Sequence, residues 1–375
     1  MKKVLFTATV ASHICQFHLP YMEMLKNNGI EVHVAAKDNL SEKNGLEMKF
    51  FDKYFDVPFS RSPRDKENIT AYKMLKGIIN ANEYDLIVCN TPMGGIITRL
   101  AAIKSRKKGT KVIYIAHGFH FYKGAPKKNW LVFYNIEKLF ARLCDMVITI
   151  NDEDFETAKK SFKADIRHIH GIGVSKERYY PKSQKEQLEI RKKLELSSDD
   201  FVILCTGELN YNKNQTQLIS AAEILKDKIP NLKILFAGNG PKEEELLEQI
   251  KTADLKDNII LLGYRTDLEN IVPAVDLVVS CSRREGMPLN IIEAMLCKKP
   301  IVATYNRGHN ELINEGVNGY LVSPESPADL ADRIYKIYSD PETASSFALR
   351  SERIAQSYTV ASVEKELSDL LLGNL

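Results

Sequence analysis

Apolar residues in the first 150 positions fall into short unbroken runs, each followed by a longer stretch in which they recur every three or four residues. Unbroken runs of four to six are what strands buried on both faces require, and the longer period is that of an amphipathic helix. The pattern predicts strands at Lys3–Ala8, Glu31–Ala36, Lys53–Val57, Leu86–Cys89, Val112–Ala116 and Met146–Ile150. Between them it predicts helices near Phe17–Lys26, Ile69–Ala81, Gly94–Ser105 and Trp130–Leu143. Strand and helix in alternation give a parallel, doubly wound sheet.

The pattern then starts again. Phe201–Thr206, Leu232–Ala237, Ile259–Leu262, Leu277–Cys281 and Ile301–Thr304 read as strands, with helices near Gln215–Asp227, Lys242–Thr252, Leu289–Cys297 and Glu311–Glu315. Gly171–Asp200 is rich in charge and carries Gly171, Gly173 and Pro181, which marks a connection. The expected layout is a Rossmann-like domain over residues 1–170, a connection over 171–200 and a second Rossmann-like domain over 201–355. A terminal helix within 356–375 is expected to pack back on the first domain. A chain of 375 residues is also long enough for two cores. The fold class is therefore α/β, with two domains facing a central cleft and ligands at the strand C-terminal edges.

Composition narrows the class. With 44% hydrophobic and 27% charged residues, the chain is that of an ordinary soluble protein. The opening MKKVLFTATV is too short for a signal core, and no run reaches the length of a membrane span. The six cysteines form no CxxC and sit in apolar segments, so buried thiols in a reducing cytoplasm are expected. Charge is unevenly placed: residues 1–170 hold 27 Lys and Arg against 18 Asp and Glu (+9), and residues 171–375 hold 25 against 31 (−6). The basic half suits an anionic partner or membrane face, the latter with the inner leaflet of the plasma membrane in view. Nucleic acid is not expected as a partner.

The richest chemistry lies in EGMPLNIIE, Glu285 to Glu293. A strand runs into a loop and then into a helix that Pro288 opens, leaving the first N–H groups of Leu289 and Asn290 free toward an anion. Glu293 lies within the helix, where a carboxylate suits a vicinal diol. As a bare spacing, two glutamates eight apart are more often a solvated loop and helix face, and the neighbours decide. Thr206–Gln215 brings Gly207 and then Lys213 to a helix start, a natural partner for a leaving diphosphate. Gly238 in AGNGP permits close backbone approach, and Gly263-Tyr264-Arg265 offers backbone groups and a ring to a base.

Taken in this order, these pieces resemble glycosyltransferase family 4, over nearly the whole chain. The resemblance rests on the G-x-L…K loop, the G-x-GP turn, the LG-Y turn, the EG-x-P…E segment and ELINEGVNGYLV with Glu311, Asn318 and Gly319. It implies a GT-B fold, a retaining hexosyltransferase and a nucleotide-diphosphate sugar as donor, with UDP-sugars expected. Residue by residue, Lys213 would contact the diphosphate, Glu285 the donor sugar and Glu293 the ribose. Backbone groups from Met287 through Pro288 and Leu289 to Asn290 would meet sugar and phosphate, and Gly263–Arg265 the base. The HGFHFYKGAP stretch is similar to that of bacterial capsule and exopolysaccharide members.

One position departs from the family pattern. Glu208 stands where an arginine is usual, so positive charge must come from elsewhere, with Arg307 on a loop after a strand preferred to Arg284. In the first half the resemblance carries His117 to the reacting sugar or acceptor. Ser12 and His13, on the first loop, are weaker candidates because paired glycines are missing there. No cofactor and no metal are expected, since the sequence shows neither a DxD carboxylate pair suited to Mg²⁺ nor clustered His or Cys ligands. The Trp130–Leu143 helix with Lys127, Lys128, Lys138 and Arg142 reads equally as a membrane-docking helix or as a core-packed helix with a wet basic rim, and the acceptor is expected to be a lipid-diphosphate-linked sugar or a glycan. The alternatives are a sugar-nucleotide 2-epimerase and a non-catalytic subunit that binds the nucleotide sugar.

Overall fold

A computed structural model describes residues 1–42, 46–171 and 173–375, which form two compact units, Met1–Gly173 with Val360–Leu375 and Val174–Thr359. The first unit holds strands β1 (Lys3–Val10), β2 (Glu31–Lys37), β3 (Lys53–Asp56), β4 (Leu86–Asn90), β5 (Lys111–Ala116), β6 (Met146–Thr149) and β7 (Asp165–His168). They pair in parallel in the order β3-β2-β1-β4-β5-β6-β7. The unbroken apolar runs have the physical meaning expected of them: all five residues of β4 and the inner six of β1 are buried.

The second unit holds β8 (Phe201–Thr206), β9 (Leu232–Ala237), β10 (Ile259–Gly263), β11 (Leu277–Ser280), β12 (Ile301–Thr304) and β13 (Tyr320–Val322). All pair in parallel, in the order β10-β9-β8-β11-β12-β13. Strand order reverses between β1 and β4 in one sheet and between β8 and β11 in the other. At such switch points the loops after adjacent strands diverge to opposite faces and leave a crevice at the C-terminal edge.

Two strands escape the sequence pattern. In β7, at the sheet edge, Asp165 and Arg167 are exposed and alternate with half-buried residues, so its four residues lack an apolar run. β13 is three residues long. Residues 174–200, read as a connection, belong to the second unit and contain the helix Gln184–Lys193, started by a reciprocal Ser183–Glu186 capping box. Arg191 ties that helix down, donating to the Ala274 carbonyl at 2.8 Å and to Asp276 at 2.7 Å. The helix shows so little amphipathic pattern because this arginine takes the place of an apolar anchor.

The last helix, Val360–Leu372, belongs to the first unit, where Val363, Leu367 and Leu371 form its buried stripe. Glu366 fixes it further, accepting from the His170 backbone N–H at 3.1 Å and meeting His170 Nδ1 at 2.9 Å. All six cysteines are buried free thiols.

Candidate active site

The loop after β8 and the loop after β11 meet at the switch point of the second sheet. Arg283 donates its backbone N–H to the Asn212 carbonyl at 2.8 Å, and the Asn212 amide donates to the Arg284 carbonyl at 3.0 Å. From the other side, Thr304 and Asn306 at the end of β12 donate to the Ser282 carbonyl at 2.6 and 2.8 Å. Held between them, Lys213 Nζ donates to Glu285 Oε1 at 2.7 Å. Burial pushes the Glu285 carboxyl up, but the charge of Lys213, the electrostatic influence of the His309 ring and hydrogen bonds from Lys213 and Ser282 outweigh it and hold the group below the usual carboxylate range.

Close backbone approach explains the glycines here. Gly207, at φ +135°, leaves space filled by the Lys213 stem, and a Cβ on it would lie 2.9 Å from Lys213 Cε. A Cβ on Gly238 would lie 2.1 Å from the Gly207 carbonyl oxygen. Gly308 packs against the loop itself, where a Cβ would stand 2.9 Å from Glu285 Cβ, the Gly286 carbonyl oxygen and Pro288 Cδ.

Helix Leu289–Leu296 follows, with Pro288 at its N-cap and not in its first turn. Near the helix start, the buried Asn290 Nδ2 and His309 Nε2 have no hydrogen-bond partner among the described residues. His309 donates its Nδ1 proton to the Thr304 carbonyl at 2.7 Å, so Nε2 remains an acceptor. Burial lowers its pKa to about 4, against the opposing pull of Glu285. One turn into the helix, burial raises Glu293 to about 7, although a Tyr179 hydrogen bond and the Arg178 charge pull it down.

The first unit has a pocket of its own at its switch point, a cavity of about 680 Å³. Thr9, Ser12 and His13 reach it from the end of β1, Thr91 and Met93 from the end of β4, and His117 from the end of β5. Ile96, Phe121, Val132, Phe133 and Ile136 make most of its wall apolar, with Arg61 at its rim. Thr91 has φ +61°, an unfavourable conformation for a β-branched residue. Its hydroxyl is held 2.7 Å from that of Thr9 and donates to the Asn90 carbonyl at 2.5 Å.

Comparison with known proteins identifies these two units. Residues 186–353 match the model of glycosyl transferases group 1, and residues 3–151 match that of glycosyl transferase 4-like domains. EpsD of Bacillus subtilis (strain 168), named as a glycosyltransferase, is 41% identical over 371 residues, covering 98% of this chain and 96% of its own. The chain is a group 1 glycosyltransferase. A second relative of the transferase is the UDP-Gal:alpha-D-GlcNAc-diphosphoundecaprenol alpha-1,3-galactosyltransferase of Escherichia coli. It is 28% identical over 338 residues, covering 88% of this chain and 85% of its own. HepE of Anabaena, solved with UDP-glucose, superposes with a TM-score of 0.79 at 22% identity, covering 100% of both chains. That likeness establishes the GT-B fold of the transferase.

Several expected positions change once the transferase is folded. Ser12 and His13 are not on a loop but in the first turn of helix Ala11–Phe17, which starts directly from β1. Arg307 is not on a loop either: it opens helix Arg307–Leu312, which replaces the helix expected near Glu311–Glu315, because the Asn306 side chain caps the backbone N–H of His309 at 3.0 Å. Arg307 Nε donates to the Glu285 carbonyl at 3.2 Å, so it braces the loop that carries that glutamate. Glu208, at the position without the usual arginine, accepts from the Asn210 amide at 2.9 Å. Arg265 is paired with Asp267 through two bonds of 2.8 and 2.7 Å, which leaves the backbone and the exposed Tyr264 ring on that turn.

The Trp130–Leu143 segment also differs from the single amphipathic helix expected. It runs as a π turn (Trp130–Tyr134), an α turn (Asn135–Phe140) and a 3-10 turn (Ala141–Leu143). Trp130 turns inward against Phe121 and donates to the Tyr122 carbonyl at 3.2 Å, whereas Leu131 and Leu139 are 74% and 57% exposed. Below the segment, Glu137 pairs with the fully buried Arg99 at 2.9 Å. Among the described residues, no helix is long and apolar enough to cross a membrane.

Sequence spacing gave no sign of two features. His309 reaches the Glu285 site only through the cap at Asn306. Clustered metal-type ligands were not expected, yet the fold gathers His13, His18 and His117, with ring nitrogens that all lie within 4.8 Å of one another.

Proposed function

We propose that this glycosyltransferase moves a hexosyl or N-acetylhexosaminyl group, with retention, from a UDP-sugar to a lipid-diphosphate-linked acceptor in assembly of an exopolysaccharide or capsule. The observation that carries the donor half is the Lys213–Glu285 pair beside the start of helix Leu289–Leu296. Glu285 occupies the ammonium of Lys213 until a diphosphate takes its place, and the carboxylate is then free to accept sugar hydroxyls. Backbone groups of Met287 to Asn290 and the unpaired Asn290 amide meet phosphate and sugar, Glu293 takes the ribose diol, and the Gly263–Arg265 turn takes the base. Arg307 adds charge near the position vacated at Glu208.

In the reaction the bond between the anomeric carbon and the diphosphate oxygen breaks, and the acceptor oxygen bonds to the same face. The acceptor proton passes to the leaving phosphate oxygen. Lys213 and the helix dipole stabilise the charge that develops there, without a divalent ion on this side. His117 orients the sugar or acceptor.

The acceptor half is supported by the apolar cavity with Arg61 at its rim, and by exposed Leu131 and Leu139 beside Lys127, Lys128 and Lys138. An isoprenoid chain fits the wall and membrane, and a diphosphate fits the cations. The E. coli relative acts, by its name, on such a lipid with a UDP-sugar.

The test supplies UDP-glucose, UDP-galactose and UDP-N-acetylglucosamine with a polyprenyl-diphosphate-linked sugar and reads the product by NMR. An α-linked product confirms retention. A β-linked product, or transfer with GDP-mannose alone, overturns the corresponding part. An Arg307→Ala variant with unchanged donor affinity would remove Arg307 from the site.

A further inference from the structure

We infer that His13, His18 and His117 form a binding site for one borderline divalent cation of the Zn²⁺, Co²⁺ or Ni²⁺ class. The site lies in the first unit, apart from the donor-site residues, and it draws on His117, the imidazole that the proposed function gives to the sugar or acceptor, so the test reads metal uptake and not transfer.

A break in the chain brings the three rings together. Helix Ala11–Phe17 ends at His18, and helix Leu19–Asn27 begins there with Pro20 in its first turn. Pro20 has no N–H to donate and its ring crowds the preceding turn, so one continuous helix cannot form. His18, at φ −124°, turns its ring to the side of the helix that carries His13. The third ring comes from His117, immediately after β5.

His13 Nε2 and His117 Nε2 stand 3.1 Å apart, and the centroid of His18 lies 5.6 Å from each of the other two rings. Ring nitrogens around a tetrahedral zinc, at about 2.0–2.1 Å from the metal, are separated by a little over 3 Å. A few tenths of an ångström for one pair and a rotation of His18 convert the observed set into three ligands.

A second observation points to a ligand. His18 has no solvent exposure, and although the Asn90 amide approaches its ring nitrogens, neither of them has a partner within normal hydrogen-bond geometry among the described residues. A buried polar group left in that state costs roughly 1–3 kcal/mol, so its retention calls for a partner. His117 Nε2 also lies 3.2 Å from Asn90 Oδ1. To ligate through Nε2, His117 shifts its proton to Nδ1, and Asn90, which also faces His18, becomes available to orient that second imidazole. Soft or imidazole-preferring ions fit three nitrogens, whereas Mg²⁺ and Ca²⁺ require oxygen ligands. His13 and His117 both line the 680 Å³ cavity, so the remaining coordination position opens toward it.

The test titrates Co²⁺, then Zn²⁺, into the full-length chain after treatment with a chelator. One equivalent of Co²⁺ with the visible ligand-field absorption of a low-coordinate nitrogen site is expected, displaced by one equivalent of Zn²⁺. His18→Asn and His13→Gln should each weaken uptake about 100-fold, and His120→Gln should leave it unchanged. X-ray absorption on the zinc-loaded wild type should count three imidazoles, which decides the matter even if a variant fails to fold. No stoichiometric uptake, fewer than three imidazoles, or uptake unaltered in folded His18→Asn and His13→Gln would overturn the proposal.

Discussion

Lys213 Nζ and Glu285 Oε1 lie 2.7 Å apart across 72 residues of chain, each mostly buried and each the other's counter-charge. A lysine held this way is positioned for a diphosphate before one arrives, and the reorganisation needed at the transition state is small.

Lys213→Ala should therefore lower kcat about 100- to 1000-fold, the loss typical of one transition-state donor. Lys213→Arg should recover only part, since a planar fork does not replace a point charge in this space. Initial rates at saturating donor check this, and rates within threefold of the wild type would remove Lys213 from the chemistry.

Glu293 gives a pH signature. Its pKa is raised from 4.5 to about 7 by burial, so between those values the folded protein holds a proton that the unfolded chain has released. The stability it contributes is fully present below about pH 4.5 and declines as pH rises to about 7, by up to about 3 kcal/mol. Glu293→Gln should lack that slope, so urea unfolding at pH 5 and pH 8 should separate the two proteins. Nucleotide affinity should run the other way, weakening about tenfold between pH 8 and pH 6, because only the carboxylate accepts both ribose hydroxyls. Equal UDP affinity at pH 6 and pH 8 would count against the ribose role.

Gly308→Ala places a Cβ 2.9 Å from three atoms of the Glu285 loop. The loop must shift, at a cost of about 1–3 kcal/mol. Donor KM should rise while the melting temperature falls by only a few degrees. A normal KM would show that the loop accommodates the methyl without moving Glu285.

Glu137→Leu would strand the Arg99 guanidinium, which has no solvent exposure and bonds otherwise to the Gly95 carbonyl at 3.0 Å. Removing one member of a buried ion pair costs about 3–5 kcal/mol. The paired change Arg99→Met with Glu137→Leu should recover much of that loss. A double-mutant cycle by chemical denaturation measures both.

Most of the fold was legible because parallel strands buried on both faces must be nearly continuous in apolar residues, as in LIVCN and KVLFTATV, and their shortness separates them from buried helices. The strands missed, β7 and β13, are the short edge ones, where pairing on one side relieves the need for apolar residues. Helix Gln184–Lys193 was hidden because Arg191 anchors it through carbonyls and Asp276.

By itself, the sequence determined the repeated strand and helix order, the glycines where backbones touch, and the segment from Glu285 to Glu293 as the candidate donor site. Local periodicity and backbone sterics act over a few residues and are written directly in the chain. Only the tertiary structure decided that Lys213 faces Glu285, that Arg307 braces its loop from a helix start and that Trp130 turns inward. It also decided that His13, His18 and His117 share one point. Each of these depends on how loops from separate strands converge at a sheet edge, and no spacing along the chain encodes that convergence.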